Sequence, residues 1–361
     1  MPVIDHYDFK SIKVLEELSN TAVDRVAYTD DLVGRALKRR SREDIGIDAP
    51  WSKLRGHFRL RPGEMVLMGG QSGHGKSALI NQWSLYAAQT GHRVGIMSLE
   101  MPAEYLFDQL ASMAAVVQEP PESYLREFGQ WMDDRIYIYD RADVISPTEA
   151  LQALIGLRKH FGCDLIVLDC LMMCDLADDL DLEKKFTAQI AAIAKAFNCC
   201  IVLVHHMRKP HGGEGEKKVP TKHDFLGSSR IVNVASSVLI LWDNKEKGYL
   251  RNMGMEVDDD EPDAKLVVAK QRFAQFEGPT GLYRHDTARV LCNNRQRQYR
   301  PIEIRQENQR EYEHGDKATG RGTGEPDRSD PFTGFDGLDE GPLVPVRERV
   351  GGDPLGHESC S

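Results

Sequence analysis

Apolar residues along this chain fall into short unbroken runs, separated by longer stretches with helical spacing. The runs lie at residues 65–68, 94–99, 136–139, 164–169, 200–205, 238–242 and 265–270. Between them, residues 147–160 and 182–197 repeat their apolar positions at about 3.6 residues, as an amphipathic helix does. Unbroken apolar strands that alternate with helices predict an α/β fold, a mainly parallel sheet covered on both faces. Such sheets take ligands at the carboxyl ends of their strands. The polar residues that close the runs are expected to lie there.

The pattern changes at both ends. Residues 1–49 are polar and carry two short helical patterns, at 9–18 and 31–37, the second running into Lys38-Arg39-Arg40-Ser41-Arg42. They read as docking helices or a linker. Residues 50–300 hold the strand and helix alternation. Residues 301–361 are rich in Gly, Pro, Asp and Glu, cannot offset their ordering entropy, and are expected to be disordered. This tail reads either as a solubilising extension or as a partner-docking segment with Phe332 and Phe335 in an acidic setting.

Charge refines this division. The chain of 361 residues carries a net charge of −10, of which the tail holds −7. The rest is nearly neutral, so a local basic loop on it still suits a polyanion. No stretch approaches the ~20 apolar residues of a membrane span, and the N-terminus lacks a secretory layout. Seven cysteines sit mostly in apolar runs (Cys163, Cys170, Cys199, Cys200 and Cys292) with no C-x-x-C pair. That argues against a zinc site and for buried free thiols in a reducing cytoplasm.

The most specific chemistry lies in Gly70-Gln71-Ser72-Gly73-His74-Gly75-Lys76-Ser77, which fits G-x-x-x-x-G-K-[ST]. An apolar run precedes it, and Ala78-Leu79-Ile80-Asn81-Gln82-Trp83 opens a helix. Backbone N–H groups of such a loop cradle phosphates at a helix N-terminus. Lys76 is expected to reach the β/γ-phosphates and Ser77 to ligate Mg²⁺. The ligand is therefore ATP, or another NTP or dNTP, with Mg²⁺.

Four further strand ends carry candidates. Asp169 closes an apolar run as a Walker B acid does, beside Mg²⁺. Glu100 reads either as the base that activates water or as a capping acid before Pro102. His206 reads as a γ-phosphate contact or as half of a surface histidine pair with His205. Arg272, beside Lys270, reads as an arginine finger. The glycine-rich, basic loop after His206 contains Arg208, Lys209, Lys217, Lys218 and Lys222. It suits the backbone of a nucleic-acid strand, or else is a solvated loop.

Taken in order, these pieces resemble the RecA-like hexameric helicases, both the DnaB-like replicative enzymes and the helicase half of phage primase-helicases. The matching segments are Gly70–Ser77, Ser98-Leu99-Glu100-Met101, residues 163–169 and Val204-His205-His206-Met207-Arg208-Lys209. Asp224-Phe225-Leu226-Gly227-Ser228-Ser229, Lys270-Gln271-Arg272-Phe273 and the turn Gly278-Pro279-Thr280-Gly281 follow. Together they span about residues 50–290. The resemblance implies a RecA-like core that translocates on single-stranded DNA and unwinds a forked duplex as a ring, likened to a hexamer. It implies that Glu100 is the base, Asp169 the Mg²⁺-associated acid and His206 the phosphate sensor. Arg272 would reach the next subunit's nucleotide with Lys270 beside it, the loop from Arg208 to Lys222 would grip DNA, and residues 31–45 would pack on a neighbour. Tyr283 and His285 are base-stacking candidates. A primase, polymerase or other replisome protein would meet the acidic tail.

The sequence departs from the family in places. Leu226 fills an arginine slot, Ser229 a glycine slot, Asn233 a glutamine slot, Ser236 an aspartate slot, and Met172 stands where the DnaB-like enzymes have glutamine. Ala274-Gln275-Phe276-Glu277 are extra before the Gly-Pro-Thr-Gly turn. Residues 1–49 hold no zinc-finger cysteine set, and primase activity is expected to come from another chain. Two other readings stay open: a RecA-type recombination filament, and a nucleotide-gated scaffold without motor activity.

Overall fold

The computed structural model describes residues 28–40, 45–176, 179–208, 218–227, 230–285, 288–302 and 304. The helix expected at 9–18, Lys209, Lys217, Ser228, Ser229 and the tail from 305 with Phe332 and Phe335 lie outside the described residues.

Two strands, β1 (Ile47–Asp48) and β2 (Arg59–Leu60), pair antiparallel on their own. The remaining described strands are β3 (Met65–Gly70), β4 (Val94–Ser98), β5 (Ile136–Ile138), β6 (Leu165–Asp169), β7 (Cys200–His206), β8 (Ser237–Asp243), β9 (Ala264–Gln271), β10 (Gly278–Arg284) and β11 (Leu291–Cys292). They form one sheet in the order β11-β10-β9-β8-β3-β7-β6-β4-β5. From β8 to β5 every pairing is parallel, and β9, β10 and β11 add antiparallel. The helices are α1 (Thr29–Arg40), α2 (Lys76–Gln89), α3 (Ala103–Ala115), α4 (Glu122–Met132), α5 (Pro147–Lys159), α6 (Leu180–Phe197), α7 (Arg230–Val234) and α8 (Lys245–Asn252).

The unbroken apolar runs are explained by burial on both faces. Every residue of β3, β4, β6 and β8 is buried. Alternate side chains feed two cores. Val66, Met68, Leu165, Val167, Val202 and Val204 point to one, beneath α2, α3 and α4, with Trp83, Leu106 and Phe128. Met65, Leu67, Ile166, Leu168, Ile201 and Leu203 point to the other, beneath α5 and α6, with Leu154, Phe186 and Ile190. Nothing in the run pattern separates the two faces, because both are apolar. β9 alternates buried and half-buried positions instead, as a strand with weaker cover on one side does.

Three expectations are corrected. The Gly-Pro-Thr-Gly segment is the start of β10, paired with β9 from Gly278↔Val268 to Leu282↔Ala264, and not a turn. Its glycines and proline conceal a strand that sits near the sheet edge, where proline costs little. The packed core also reaches past 50–300: Ile47 and Ala49 are buried at one end and Ile302 at the other, where the Ile302 N–H donates to the Ala114 carbonyl at 2.9 Å. The third correction concerns the strand ends. β9 runs antiparallel to β8, so Lys270 and Arg272 do not lie at the carboxyl edge of the parallel strands.

Among the described residues, no helix is long and apolar enough to cross a membrane. Leu32, Val33 and Leu37 of α1 are exposed.

Trp83 ties the first core together. Its indole N–H donates to the Asp48 carbonyl at 2.8 Å, and its ring meets Trp51 and Phe58 edge-on. Trp83→Ala is expected to cost about 3–5 kcal/mol, read as a lower denaturant midpoint with nucleotide-free protein.

Candidate functional site

The site is built by neighbouring strand ends. β3 leads into the loop Gly70–Ser77, and β7 lies beside it with Gly70 opposite His206. On the far side of β7, β6 ends in Asp169, which pairs with Ser98 at the end of β4. Glu100 follows two residues later. Adjoining carboxyl ends therefore deliver a basic loop, an imidazole and two carboxylates to one place.

The loop needs its glycines for stated reasons. Gly75 takes φ +83° as the N-cap of α2, a left-handed conformation in which a side chain is strained. A Cβ on Gly70 would lie 2.8 Å from the Leu241 carbonyl oxygen. Inside this tight frame Lys76 turns back over the loop. Its ammonium donates to the Gln71 carbonyl at 3.1 Å and to His206 Nδ1 at 3.2 Å. An ammonium has no lone pair, so Nδ1 is the acceptor here, and the ring proton sits on Nε2. That Nε2 faces Glu100 Oε1 at 3.4 Å, and the same oxygen accepts the Cys170 thiol proton at 2.8 Å.

Burial and charge oppose each other across this group. Burial lowers the Lys76 pKa, while Asp169, Cys170 and Glu100 pull it back up. Glu100 is half exposed; its partial burial raises its pKa, but the Cys170 and His206 hydrogen bonds outweigh this and leave it below the ordinary value. It is a carboxylate at neutral pH. It does not cap a helix: α3 starts after Pro102 with no side-chain cap. Asp169 is buried, and burial pushes its pKa up against a hydrogen bond with Ser77.

Ser77 and Asp169 fit Mg²⁺. A buried carboxylate hydrogen-bonded to a hydroxyl offers two of the hard oxygen ligands this ion takes. Lys76, the loop N–H groups and the α2 N-terminus fit the phosphates of a nucleotide. The Gln71 amide adds a further polar group: both its ends are buried without a hydrogen-bond partner in the described structure.

Residues outside the motif complete the surroundings. The His74 ring accepts the Asp243 N–H at 3.2 Å, and Lys245 reaches the Ser72 carbonyl at 3.4 Å. Arg284, at the end of β10, pairs with Asp243. Cys170, Asp243, Lys245 and Arg284 were not among the candidates read from sequence. They follow or end strands, so the signal was present, but which strands neighbour the loop is a matter of sheet order.

His205 faces the opposite side of β7, as the strand period requires. Its ring stacks on Phe225, and its Nε2 lies 3.0 Å from the Leu226 carbonyl. The Leu226 N–H donates to the His206 carbonyl, and the Arg208 N–H to the Asp224 carbonyl. The segment 224–227 is thus stitched to the strand that carries His206. Leu226 makes these contacts through its backbone, so the loss of an arginine there leaves the link in place. Of the basic loop residues, Arg208 and Lys218 are exposed and Lys222 is half-buried.

Arg272 and Lys270 are elsewhere. The Arg272 N–H donates to the Ser236 carbonyl, and the Ser236 N–H to the Met65 carbonyl. This puts Arg272 at the beginning of β3, five residues below Gly70, or about 16 Å along the strand at roughly 3.3 Å per residue. Its exposed guanidinium donates to the Asn233 carbonyl at 2.8 Å. Lys270 donates to the carbonyls of Val232, Asn233 and Ala235 behind α7, and burial lowers its pKa, with smaller contributions from Arg272 and Lys222. Neither reaches the loop Gly70–Ser77 of the same chain. Tyr283 is buried with its hydroxyl donating to the Asp260 carbonyl, and His285 accepts the Ala288 N–H.

The phosphate loop, a carboxylate behind it and the strand order match one family. The sequence profile of the DnaB-like helicase C-terminal domain fits residues 52–289. The chain belongs to that family. Among curated proteins it is 24% identical to a DNA helicase/primase of Enterobacteria phage T3 over 241 residues, covering 62% of this chain and 40% of that protein. It is 21% identical to the replicative DNA helicase DnaB of Helicobacter pylori over 262 residues, covering 67% of this chain and 53% of that protein. The chain thus spans about half or less of the curated relatives it matches.

Solved structures share the fold. One isolated ATPase domain superposes with a TM-score of 0.60 at 15% identity, covering 73% of this chain and 96% of that one. A DnaB-like replicative helicase, described with its primase interactions, superposes at 0.62 and 14% identity, covering 77% and 71%. The fold is that of RecA-like DnaB ATPase domains.

The buried imidazole behind the site gives a pH signature. Burial lowers the His205 pKa from 6.5 to about 4, with a partial return from the Leu226 hydrogen bond. Between these values the unfolded chain binds more protons, so stability falls as the pH drops from about 6.5 towards 4. The loss is about 3 kcal/mol at the low end. His205→Gln keeps a donor for Leu226 and does not titrate, so its unfolding free energy should fall less across that window than the parent's.

Proposed function

We propose that this chain is an NTP-driven DNA helicase of the replicative kind, working as a ring, a hexamer on the family pattern, that draws one strand of a fork through its centre. The observation that carries the reading is the division of its chemistry between two ends of one sheet. Lys76, Ser77, Asp169, Glu100 and His206 meet at one end, while Arg272 stands exposed at the other. A hydrolytic set at one end of the sheet, with Arg272 too far away to join it within the same chain, suits a subunit whose neighbour supplies that arginine.

In this reading Lys76 and the loop N–H groups bind the β- and γ-phosphates of ATP or another nucleoside triphosphate. Ser77 and Asp169 hold Mg²⁺, which neutralises phosphate charge when bound. Glu100 orients the attacking water and accepts its proton, a role worth about 10²–10⁴ in rate. Lys76 leaves His206 Nδ1 for the phosphates, which frees that imidazole to respond to the γ-phosphate. The response passes to residues 224–227 through the β7 backbone, and to the basic loop with Arg208, Lys218 and Lys222, and with Lys209 and Lys217 in sequence. That loop would hold the single strand by its phosphates. Arg272 would act across the subunit boundary, with Lys270 fastening α7 beside it. Primase and other replisome proteins are the partners that suit such a motor in the cytoplasm, the acidic tail being a docking segment for one of them.

Glu100→Gln and Arg272→Ala should each lower DNA-stimulated hydrolysis by about 10³-fold and abolish strand displacement on a forked duplex, while a fluorescent nucleotide still binds. Mixing the two variants should restore hydrolysis, because one boundary in the mixed ring regains both groups. Failure of the mixture to recover would remove the trans finger. Electron microscopy of the nucleotide-bound protein on DNA should show closed rings; long open filaments would favour strand exchange instead. Absence of DNA-stimulated turnover in the parent would leave the scaffold reading.

A further inference from the structure

Three strand ends surround one point with a carboxylate, a thiol and an imidazole. Glu100 follows β4, Cys170 follows β6 and His206 ends β7. One ligand atom from each lies within 4.8 Å of the others. Cys170 Sγ is 2.8 Å from Glu100 Oε1, and His206 Nε2 is 3.4 Å from the same oxygen. Nucleotide hydrolysis has a use for the carboxylate and the imidazole. It has none for the thiol, which is fully buried against them.

The ligand chemistry is selective. Mg²⁺ takes oxygen ligands, and its pair here is Ser77 and Asp169. Thiolate and imidazole together with one carboxylate suit a borderline-soft ion that accepts tetrahedral geometry, which is Zn²⁺. Bonds of about 2.0–2.3 Å to such an ion place its ligand atoms about 3.3–3.7 Å apart. The His206 pair is already at that spacing, and the thiol pair opens by about 0.7 Å on the same grounds. The Glu100 side chain is 46% exposed, so an ion has a path in from solvent and a fourth position for water. Sequence spacing hides the set, because its members stand 70 and 106 positions from Glu100.

We propose that Glu100, Cys170 and His206 form a Zn²⁺ site separate from the Mg²⁺ pair, and that filling it stops nucleotide hydrolysis. On binding, the Cys170 thiol releases its proton to solvent, and the S–H···O bond is replaced by bonds from the ion to sulfur and to Glu100 Oε1. His206 binds through Nε2, and its ring proton moves to Nδ1 as Lys76 swings towards the phosphate position. Two anionic ligands balance the ion's charge. Glu100, bound to the ion, no longer accepts a proton from water. The inhibitory half rests on the function proposed above; the binding half does not.

The test uses the full chain with Cys360→Ser, which removes the one cysteine outside the described residues. Co²⁺ serves as the spectroscopic probe. One equivalent per chain should give tetrahedral visible bands and a thiolate charge-transfer band, both displaced by Zn²⁺. Cys170→Ser should lose the charge-transfer band, and Glu100→Gln should weaken binding, with circular dichroism of both unchanged. The Zn²⁺ concentration that halves DNA-stimulated hydrolysis, taken relative to each protein's own metal-free rate, should rise at least about 100-fold in Cys170→Ser. No thiolate band in the parent at micromolar Co²⁺, or equal Zn²⁺ inhibition of parent and Cys170→Ser, overturns the site. Stoichiometric binding without inhibition overturns the inhibitory half. A metal-free parent that turns over no nucleotide refutes the proposed function and leaves the binding result to judge the site.

Discussion

The parallel pairing of β3 with β7, β7 with β6 and β6 with β4 is the constraint on which the site depends. Parallel strands end together, so their carboxyl ends form one edge, and whatever residue follows each strand is delivered there. The register fixes the outcome to the residue. Gly70 opposite His206 puts the imidazole within reach of Lys76, and Ser98 opposite Asp169 puts Glu100 beside the strand that carries Cys170. A slip of one residue in β7 would exchange His206 for His205 and turn the polar ring into the second core.

That core is why the register holds. Both faces of the central strands are apolar and buried, so every position along them is tied to one side or the other. The same burial sets the electrostatics. It pushes Lys76 down and Asp169 up, away from their charged forms, while at Glu100 the hydrogen bonds from Cys170 and His206 outweigh it and hold the pKa below the ordinary value. On the proposed reading, a phosphate and a divalent ion join these groups when nucleotide binds. Arg272 escapes this arrangement because β9 reverses direction. On the proposed reading, that reversal is what makes one subunit insufficient.

Much of the fold was legible because central parallel strands leave a coarse mark, a short run of apolar residues with a helix behind it. Every run read from sequence is a strand, with its ends shifted by a residue or two. β10 was not legible: it begins Gly278-Pro279, and its place beside β9 is set by pairing with a partner whose less buried face carries Lys265. The loop Gly70–Ser77, with a strand before it and a helix after it, was legible from local sequence alone. Cys170, Lys245 and Arg284 were not, because each gains its meaning from a strand that is distant in sequence.

The sequence by itself determined the alternation of strands and helices, the phosphate loop and the residues that close each strand. These are local properties, written in hydrophobic period and in glycines where the backbone must turn. The tertiary structure alone decided which strand ends are neighbours, and so that Glu100, Cys170 and His206 share one point while Lys270 and Arg272 face away. Strand order and direction arise from packing two apolar faces under their helices. That packing joins residues far apart along the chain, at a range where no local pattern carries information.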